Sequence, residues 1–450
     1  MHSSIEEKRQ TIIVPGLSGL RNIGNTCYLN SALQCLLATD SLRNYLIIKK
    51  KSDEPNNNIY EPNDEDIRNN VIKALMKFKN CEAKDLSEDE INKFIQNSFT
   101  YKLSELFAKM YNENCSIAPA AFRGELVRHN RAFAGMRHQD SQECLTFIIN
   151  KLHDETKTDA NMRIKNMSSE YKQYMDYYIP YQKKFNIINN LYEAYKYGDK
   201  KKDIEKNEET SNKYRNQAIQ LYREHINFKK DKVRMDLKIG YLHFWENDLK
   251  NNHSVITQYM KGVYLHSTEC EQCNTITNQF ESYTIIPVTD LQEKETLEGC
   301  LDNYFEKREP LTEDNKYDCY YCNQKTNATK KTELWSAPPT LVIQLERFKF
   351  NSRNGRSFKI DKNIKFPINN LNISKYFNKN ANKTCVYDLY GVIMHHGNTD
   401  HGHYVAYTKN SVNNEWYHYD DNHVLHIDKE KIEDHIQNGS AYILLYKIQQ

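Results

Sequence analysis

Glycine and proline are scarce in this 450-residue chain, at 14 and 10 residues. That scarcity excludes collagen-like and other fibrous repeats, and also proline-rich linkers. No apolar run reaches the length of about 18 residues that a membrane-spanning helix needs. The opening residues MHSSIEEKRQ lack an apolar stretch, so no secretory signal is expected and the cytosol or nucleus is the expected compartment. Charge of either sign is not in excess: 62 basic side chains face 60 acidic ones, for a formal charge of +2. A near balance gives no support for a nucleic-acid or membrane-surface partner. Apolar residues are few as well, at 39% with a mean hydropathy of -0.84. Either the core is thin throughout, or a polar tract dilutes an ordinary one.

What the chain does have is tyrosine, with 32 residues, and cysteine, with 11. An odd cysteine count in a large chain of this kind argues against a disulfide framework. The length suits two or three domain-sized units.

Residues 14–154 alternate helical patterns with short breaks. Helices are expected over 26–37, 67–78, 99–110, 119–128 and 141–152, the last capped by Asp140 or Ser141. A polar, asparagine-rich stretch covers 49–70. From 155 to about 253 the composition shifts to lysine, asparagine, tyrosine and acids, with the charged knot GDKKKDIEKNEET. This tract reads as an insertion of 155–255, part helical and part disordered, whose charge favours solvation over packing. A spacer, a partner-binding arm and a substrate-facing helix all fit it, and the remaining core is expected to fold without it. Beyond it, short β patterns are expected over 256–265, 279–288, 340–348, 387–395, 403–409, 415–419 and 441–446. Helices first and strands later indicate an α+β fold.

Cys27 lies in GLRNIGNTCYLNS (19–31), at the start of the first strong helical pattern. There a sulfur faces unpaired backbone N–H groups and the positive end of the helix dipole, which favours a thiolate. Asn22 and Asn25 flank Gly24 just ahead, and an asparagine amide in that turn can donate to an oxyanion. A buried structural cysteine is the competing reading. Far downstream, HHGNTDHGHYVAYTK (395–409) and EWYHYDDNHV (415–424) read as a strand opening at His403 and a neighbouring strand ending in two aspartates. Pairing those strands sets an imidazole beside a carboxylate, which fixes its tautomer and supports its cation. A thiol protease or transferase follows.

These segments resemble the boxes of the ubiquitin-specific protease family, papain-like cysteine peptidases that remove ubiquitin from proteins. The cysteine box is nearly complete as GLRNIGNTCYLNSALQ, and the histidine box is present in both parts. HQDSQECL (138–145) is similar to the family's middle element, and LERFKF (345–350) with Phe366-Pro367 to its strand motif. The resemblance implies a papain-like hand over 14–446: a helical thumb (14–154), zinc-bearing β fingers (256–335) and a palm (336–446). It implies Cys27 as nucleophile, His403 as general base, Asp420 as its orienting carboxylate, Asn22 as oxyanion donor and Asp421 as a supporting acid. Asp140 and Glu143 match contacts for ubiquitin's arginine-bearing tail, although a local reading makes them a helix cap and a first-turn acid. The implied activity is that of a ubiquitinyl hydrolase, a cysteine-type omega peptidase acting after ubiquitin's C-terminal glycine. Its partner would be ubiquitin or polyubiquitin on other proteins. A protease for another ubiquitin-like modifier and an inactive ubiquitin-binding protein are the rivals. Three positions depart from the pattern: His138, Cys144 and Glu346.

Cys270 and Cys273 form CEQC, and Cys319 and Cys322 form CYYC. Two such knuckles are a zinc-ribbon signature, because each sets two thiolates at chelating distance and four complete a tetrahedron. Closed coordination makes the expected zinc structural. The family resemblance agrees, placing that site at the fingertips. Cys35, Cys81, Cys115, Cys300 and Cys385 are expected to be packing residues.

Overall fold

The segment CYLNSALQCLL forms the helix Cys27–Leu37, and every one of its residues is buried. A helix enclosed on all sides must lie between two layers, and this one does. The helix Ser141–Thr156 packs on one side and the strand Gly402–Lys409 on another. The computed structural model describes residues 14–51, 58–63, 65, 67–69, 72–73, 76, 82–160, 167–197, 204–352, 355–381, 383–399 and 401–449.

Along Gly402–Lys409 the two-residue period of a strand sends alternate side chains to opposite cores. Tyr404 and Ala406 join the core of the helical layer, with Leu29, Leu33, Phe99 and Ile148. Val405 and Tyr407 join a second core with Leu301, Phe305, Tyr376 and Tyr446. The strand belongs to a large sheet ordered His423–Ile427, Trp416–Asp420, Gly402–Lys409, Val386–Gly397, Ala441–Ile448, Thr340–Leu345, Ile285–Val288. Only the last of these pairings is parallel. The register between Val386–Gly397 and Ala441–Ile448 shifts between Ile393 and Met394, where Tyr442 is the extra residue. Such bulges redirect a side chain.

A separate four-stranded antiparallel sheet, ordered Ile276–Tyr283, Gly262–Cys270, Ala328–Ser336, Arg308–Leu311, ends at Cys270. A two-stranded hairpin of Tyr317–Cys319 with Gln324–Thr326, between its last two strands in the chain, carries the second cysteine pair. The helical half and the strand-rich half follow the α+β expectation, with local differences. The start of the 256–265 pattern is the short helix Val255–Tyr259, because Ser254 and Thr257 form a capping box there. Within the polar 49–70 stretch, Ile47–Lys51 and Asn58–Pro62 pair as antiparallel strands. Half of the residues expected as a helix over 67–78 are described and are helical; the other half, and Cys81, lie outside the described residues. Cys35, Cys300 and Cys385 are buried as expected, but Cys115 is exposed and its sulfur lies 3.2 Å from Glu113 Oε2. It packs nothing.

The largest correction concerns the insertion. Its described residues form three helices, Ser169–Tyr197, Ile204–Lys229 and Val233–Leu249. They do not stand free in solvent. Tyr174, Tyr178, Met235 and Ile239 make a core of their own. Leu237 and Tyr241 pack with Leu265, Phe280 and Trp335 of the four-stranded sheet. An apolar-stripe reading undervalues tyrosine, whose ring buries much area while its hydroxyl keeps a partner. Tyr174 illustrates this, donating to the buried Asp236 at 2.9 Å.

Candidate active site

Gly24 (φ +112°) and Asn25 (φ +52°) turn the chain into the helix Cys27–Leu37 through left-handed backbone. Glycine and asparagine tolerate that conformation best. Asn25 is used to anchor this turn, since its Nδ2 donates to the Met136 carbonyl at 2.6 Å. Asn22 is fixed differently. Its Oδ1 accepts from the backbone N–H of Thr26 (3.0 Å) and Gly24 (3.2 Å), which orients the amide. Its Nδ2 then donates to Asp421 Oδ2 at 2.9 Å. Cys27 is the first residue of the helix and only 3% exposed.

Across from it, the antiparallel pairing of Gly402–Lys409 with Trp416–Asp420 brings His403 Nε2 to 2.7 Å from Asp420 Oδ1. The nearby Cys27 sulfur also acts on the ring. The Cys27 sulfur is the main influence raising the His403 pKa to about 9; burial opposes it, and the bond and charge of Asp420 add to it. An imidazole at about 9 carries its proton at neutral pH, so His403 is a cation held between sulfur and carboxylate. His395, on the neighbouring strand Val386–Gly397, behaves in the opposite way. Buried between Phe348 and Tyr404, it is pushed down to about 4, chiefly by burial, and remains a neutral core residue.

Asp421 follows in a two-residue turn at φ +50°. Its carbonyl accepts from Leu20 N–H at 2.8 Å, tying the N-terminal box to the end of the sheet. Gly19 is required for that approach, since a Cβ there would come within 2.4 Å of the Asn422 carbonyl oxygen. Both carboxylate oxygens of Asp421 are engaged: Oδ2 by Asn22, and Oδ1 by Asn30 Nδ2 at 2.8 Å. Sequence reasoning did not single out Asn30. The available signal was its position three residues after Cys27, one helical turn on, inside the same box.

Asp140 caps the helix Ser141–Thr156, accepting from the N–H groups of Gln142 (2.6 Å) and Glu143 (3.4 Å). Tyr442, aimed by its bulge, donates to both Asp140 oxygens at 3.0 and 2.8 Å. Burial still dominates and raises the Asp140 pKa against those bonds. Nothing in the sequence signalled Tyr442. Glu143 is exposed one helical step away. Of the three departures from the pattern, Cys144 is fully buried and Glu346 pairs with Lys349 at 3.1 Å. The His138 ring lies 6.3 Å from that of His401.

Cys270, Cys273, Cys319 and Cys322 converge at the end of the four-stranded sheet, their sulfurs all within 4.8 Å of one another. Asn274 and Asn323 take left-handed conformations (φ +57° and +59°) just past each knuckle, folding the chain back. The Cys270–Cys322 and Cys273–Cys319 sulfurs are 3.9 and 3.7 Å apart. A tetrahedron with zinc–sulfur bonds of about 2.3 Å has edges of about 3.8 Å, so the four sulfurs fit zinc. Without metal the thiols differ: burial holds the pKa of Cys319 and Cys322 up, whereas at Cys270 the Thr326 hydroxyl and the N–H groups of Cys273 and Gln272 outweigh burial and lower it.

Comparison with known proteins gives a consistent picture. A probable ubiquitin carboxyl-terminal hydrolase of Acanthamoeba polyphaga mimivirus is 29% identical over 469 residues, covering 96% of this chain and 90% of that protein. Ubiquitin carboxyl-terminal hydrolase 2 of Homo sapiens is 26% identical over 433 residues, covering 96% of this chain; the chain spans 55% of that protein's length. The fold resembles the SAGA DUB module containing Ubp8, solved bound to ubiquitin aldehyde. The TM-score is 0.57 at 22% identity, over 98% of this chain and 71% of the other. With the family model for ubiquitin carboxyl-terminal hydrolases matching residues 18–446, the chain belongs to that family of deubiquitinating hydrolases.

Proposed function

We propose that the chain is a cysteine-type peptidase that cleaves the bond after the C-terminal glycine of ubiquitin. That bond includes the isopeptide link to a lysine. The grouping of Cys27 at the helix start with His403, whose Nε2 lies 2.7 Å from Asp420 Oδ1, carries the reading. Cys27 attacks the carbonyl as a thiolate while His403 holds the proton at the ring nitrogen facing sulfur. The oxyanion takes hydrogen bonds from Asn22 Nδ2 and from N–H groups at the start of the helix. An amide nitrogen carries two protons, so Asn22 can keep Asp421 as a partner and still donate. His403 then gives its proton to the departing amine, and later draws one from the water that hydrolyses the thioester. Asp420 keeps the ring oriented throughout.

Residues 14–154, 256–335 and 336–446 serve as thumb, fingers and palm around the folded body of ubiquitin. Asp140 already has a cap and a tyrosine on its oxygens, whereas Glu143 is exposed. We therefore assign the main charge contact with the ubiquitin tail to Glu143, and the positioning of that helix end to Asp140. The four cysteines hold a structural zinc that supplies folding energy to the fingers and takes no part in the chemistry.

Hydrolysis of a fluorogenic ubiquitin C-terminal substrate tests the assignment against matched substrates built on other ubiquitin-like modifiers. Fastest turnover of the ubiquitin substrate, abolished by Cys27→Ala, is expected. Faster turnover of another modifier would move the substrate assignment. Tight ubiquitin binding without turnover would leave a binding protein.

A further inference from the structure

The CYYC knuckle does not project freely from its sheet. Asp318, Tyr320, Tyr321 and Asn323 are each held by the helical insertion. Asp318 pairs with Arg215, and Asn323 Oδ1 accepts from Arg215 Nε at 3.5 Å. Tyr320 donates to Asn189, and its ring lies 5.5 Å from Phe185 and 5.9 Å from Tyr222. The Arg215 guanidinium lies between the rings of Tyr320 (4.4 Å) and Tyr192 (5.2 Å). The Tyr321 carbonyl accepts from Arg223 Nε at 3.0 Å, and the Tyr321 ring lies under the same guanidinium at 5.5 Å. Tyr317 is reached through Thr277, whose hydroxyl bonds both Tyr317 (2.8 Å) and Tyr222 (2.6 Å). The CEQC knuckle is different. Glu271 and Gln272 take their partners from Asn327 and Gln324, on the segment that follows the CYYC knuckle and not in the insertion.

We propose that the helices Ser169–Tyr197 and Ile204–Lys229 form a built-in receptor for the Cys319–Cys322 knuckle, through which zinc retention and the order of the insertion are coupled. The inference rests on the reading that the four cysteines hold zinc. Zinc with four thiolates carries two net negative charges. The Arg223 guanidinium lies against Tyr321, between two of those thiolates, while Arg215, paired with Asp318, holds the ring of Tyr320 beside it. Groups just outside a metal's ligands fix ligand geometry and slow its release. Coupling runs both ways: a knuckle that loses its metal loosens, and the helices clamped to it lose their footing.

The test uses the full-length, zinc-loaded chain and a colorimetric chelator that reports metal release. Replacing both arginines, Arg215→Ala with Arg223→Ala, should speed release about ten-fold, as typical for a ligand-supporting group. Tyr222→Phe, which removes one hydroxyl and keeps the ring, should give a smaller increase. The reciprocal measurement needs no variant. Stripping zinc from the wild-type chain should raise amide hydrogen exchange in Ser169–Tyr197 and Ile204–Lys229, and leave the helix Cys27–Leu37 protected. One equivalent of zinc with release rates unchanged by the substitutions, or insertion helices equally protected with and without metal, would overturn the receptor alone. A folded chain that takes up no zinc would overturn the receptor and the zinc reading together.

Discussion

Asn22 Nδ2 donates to Asp421 Oδ2 at 2.9 Å, joining two residues 399 positions apart in the chain. The pair fixes the amide that faces the Cys27 turn. Because Asn30 holds the other Asp421 oxygen, the carboxylate is clamped from both sides. An oxyanion donor matters only when charge develops on the substrate, so its loss falls on the rate rather than on binding. Asn22→Ala is expected to lower kcat by about 100-fold or more with little change in KM. Asp421→Ala should lower kcat by less. Combined with Asn22→Ala it should add almost nothing, because both remove one arrangement. Steady-state kinetics of the two single variants and the double variant check this.

The raised pKa of His403 sets a pH limit. Its hydrogen bonds favour the protonated ring, so that contribution is present below the ordinary histidine value and is lost as pH rises through about 9. Hydrolysis that starts from protonated His403 is therefore expected to fall away above about pH 9. Asp420→Asn removes a carboxylate that supports the cation, and should move this alkaline limb down by about one unit. A pH profile of kcat/KM that keeps its limb in place in Asp420→Asn would refute the role given to that residue.

Asp140 and Glu143 have separate duties that differ in their signatures. Loss of the helix cap in Asp140→Ala should cost about 1 kcal/mol of stability, measured by denaturant unfolding. Glu143→Gln removes only an exposed charge, so stability should change by less than about 0.5 kcal/mol while KM for ubiquitin substrates rises. An unchanged KM in Glu143→Gln would show that the tail does not reach this residue.

Zinc removal is expected to lower the melting temperature by on the order of 10 °C, since the metal's binding energy is folding energy for the sheet that carries it. Calorimetry with and without chelator reads this directly. An identical thermogram would mean that the sheet stands without metal.

Much of this was legible in the sequence, for physical reasons. Helix Cys27–Leu37 announces itself by apolar spacing, and Asp140 by its place ahead of a helical pattern. The four cysteines are legible because chelation demands short spacing. The insertion was misjudged because its packing uses rings and guanidinium groups, as in the Arg215–Tyr320 contact. Guanidinium groups score as polar, and scattered tyrosines make no continuous apolar stripe. Tyr442 was invisible because a bulge aims it, and a one-residue register shift leaves no local pattern. Asn30 lay in plain view, but its partner Asp421 is 391 residues away and only the fold brings them together.

The central claim is that Cys27 is a nucleophile aligned to receive a ubiquitin C-terminus. It is tested most directly by incubating the folded, zinc-loaded chain with ubiquitin bearing a C-terminal electrophile, then mapping any covalent adduct by mass spectrometry. A single adduct at Cys27, absent in Cys27→Ala and strongly slowed in His403→Ala, is the expected result. A folded chain that forms no adduct, or one labelled equally after Cys27→Ala, would contradict it.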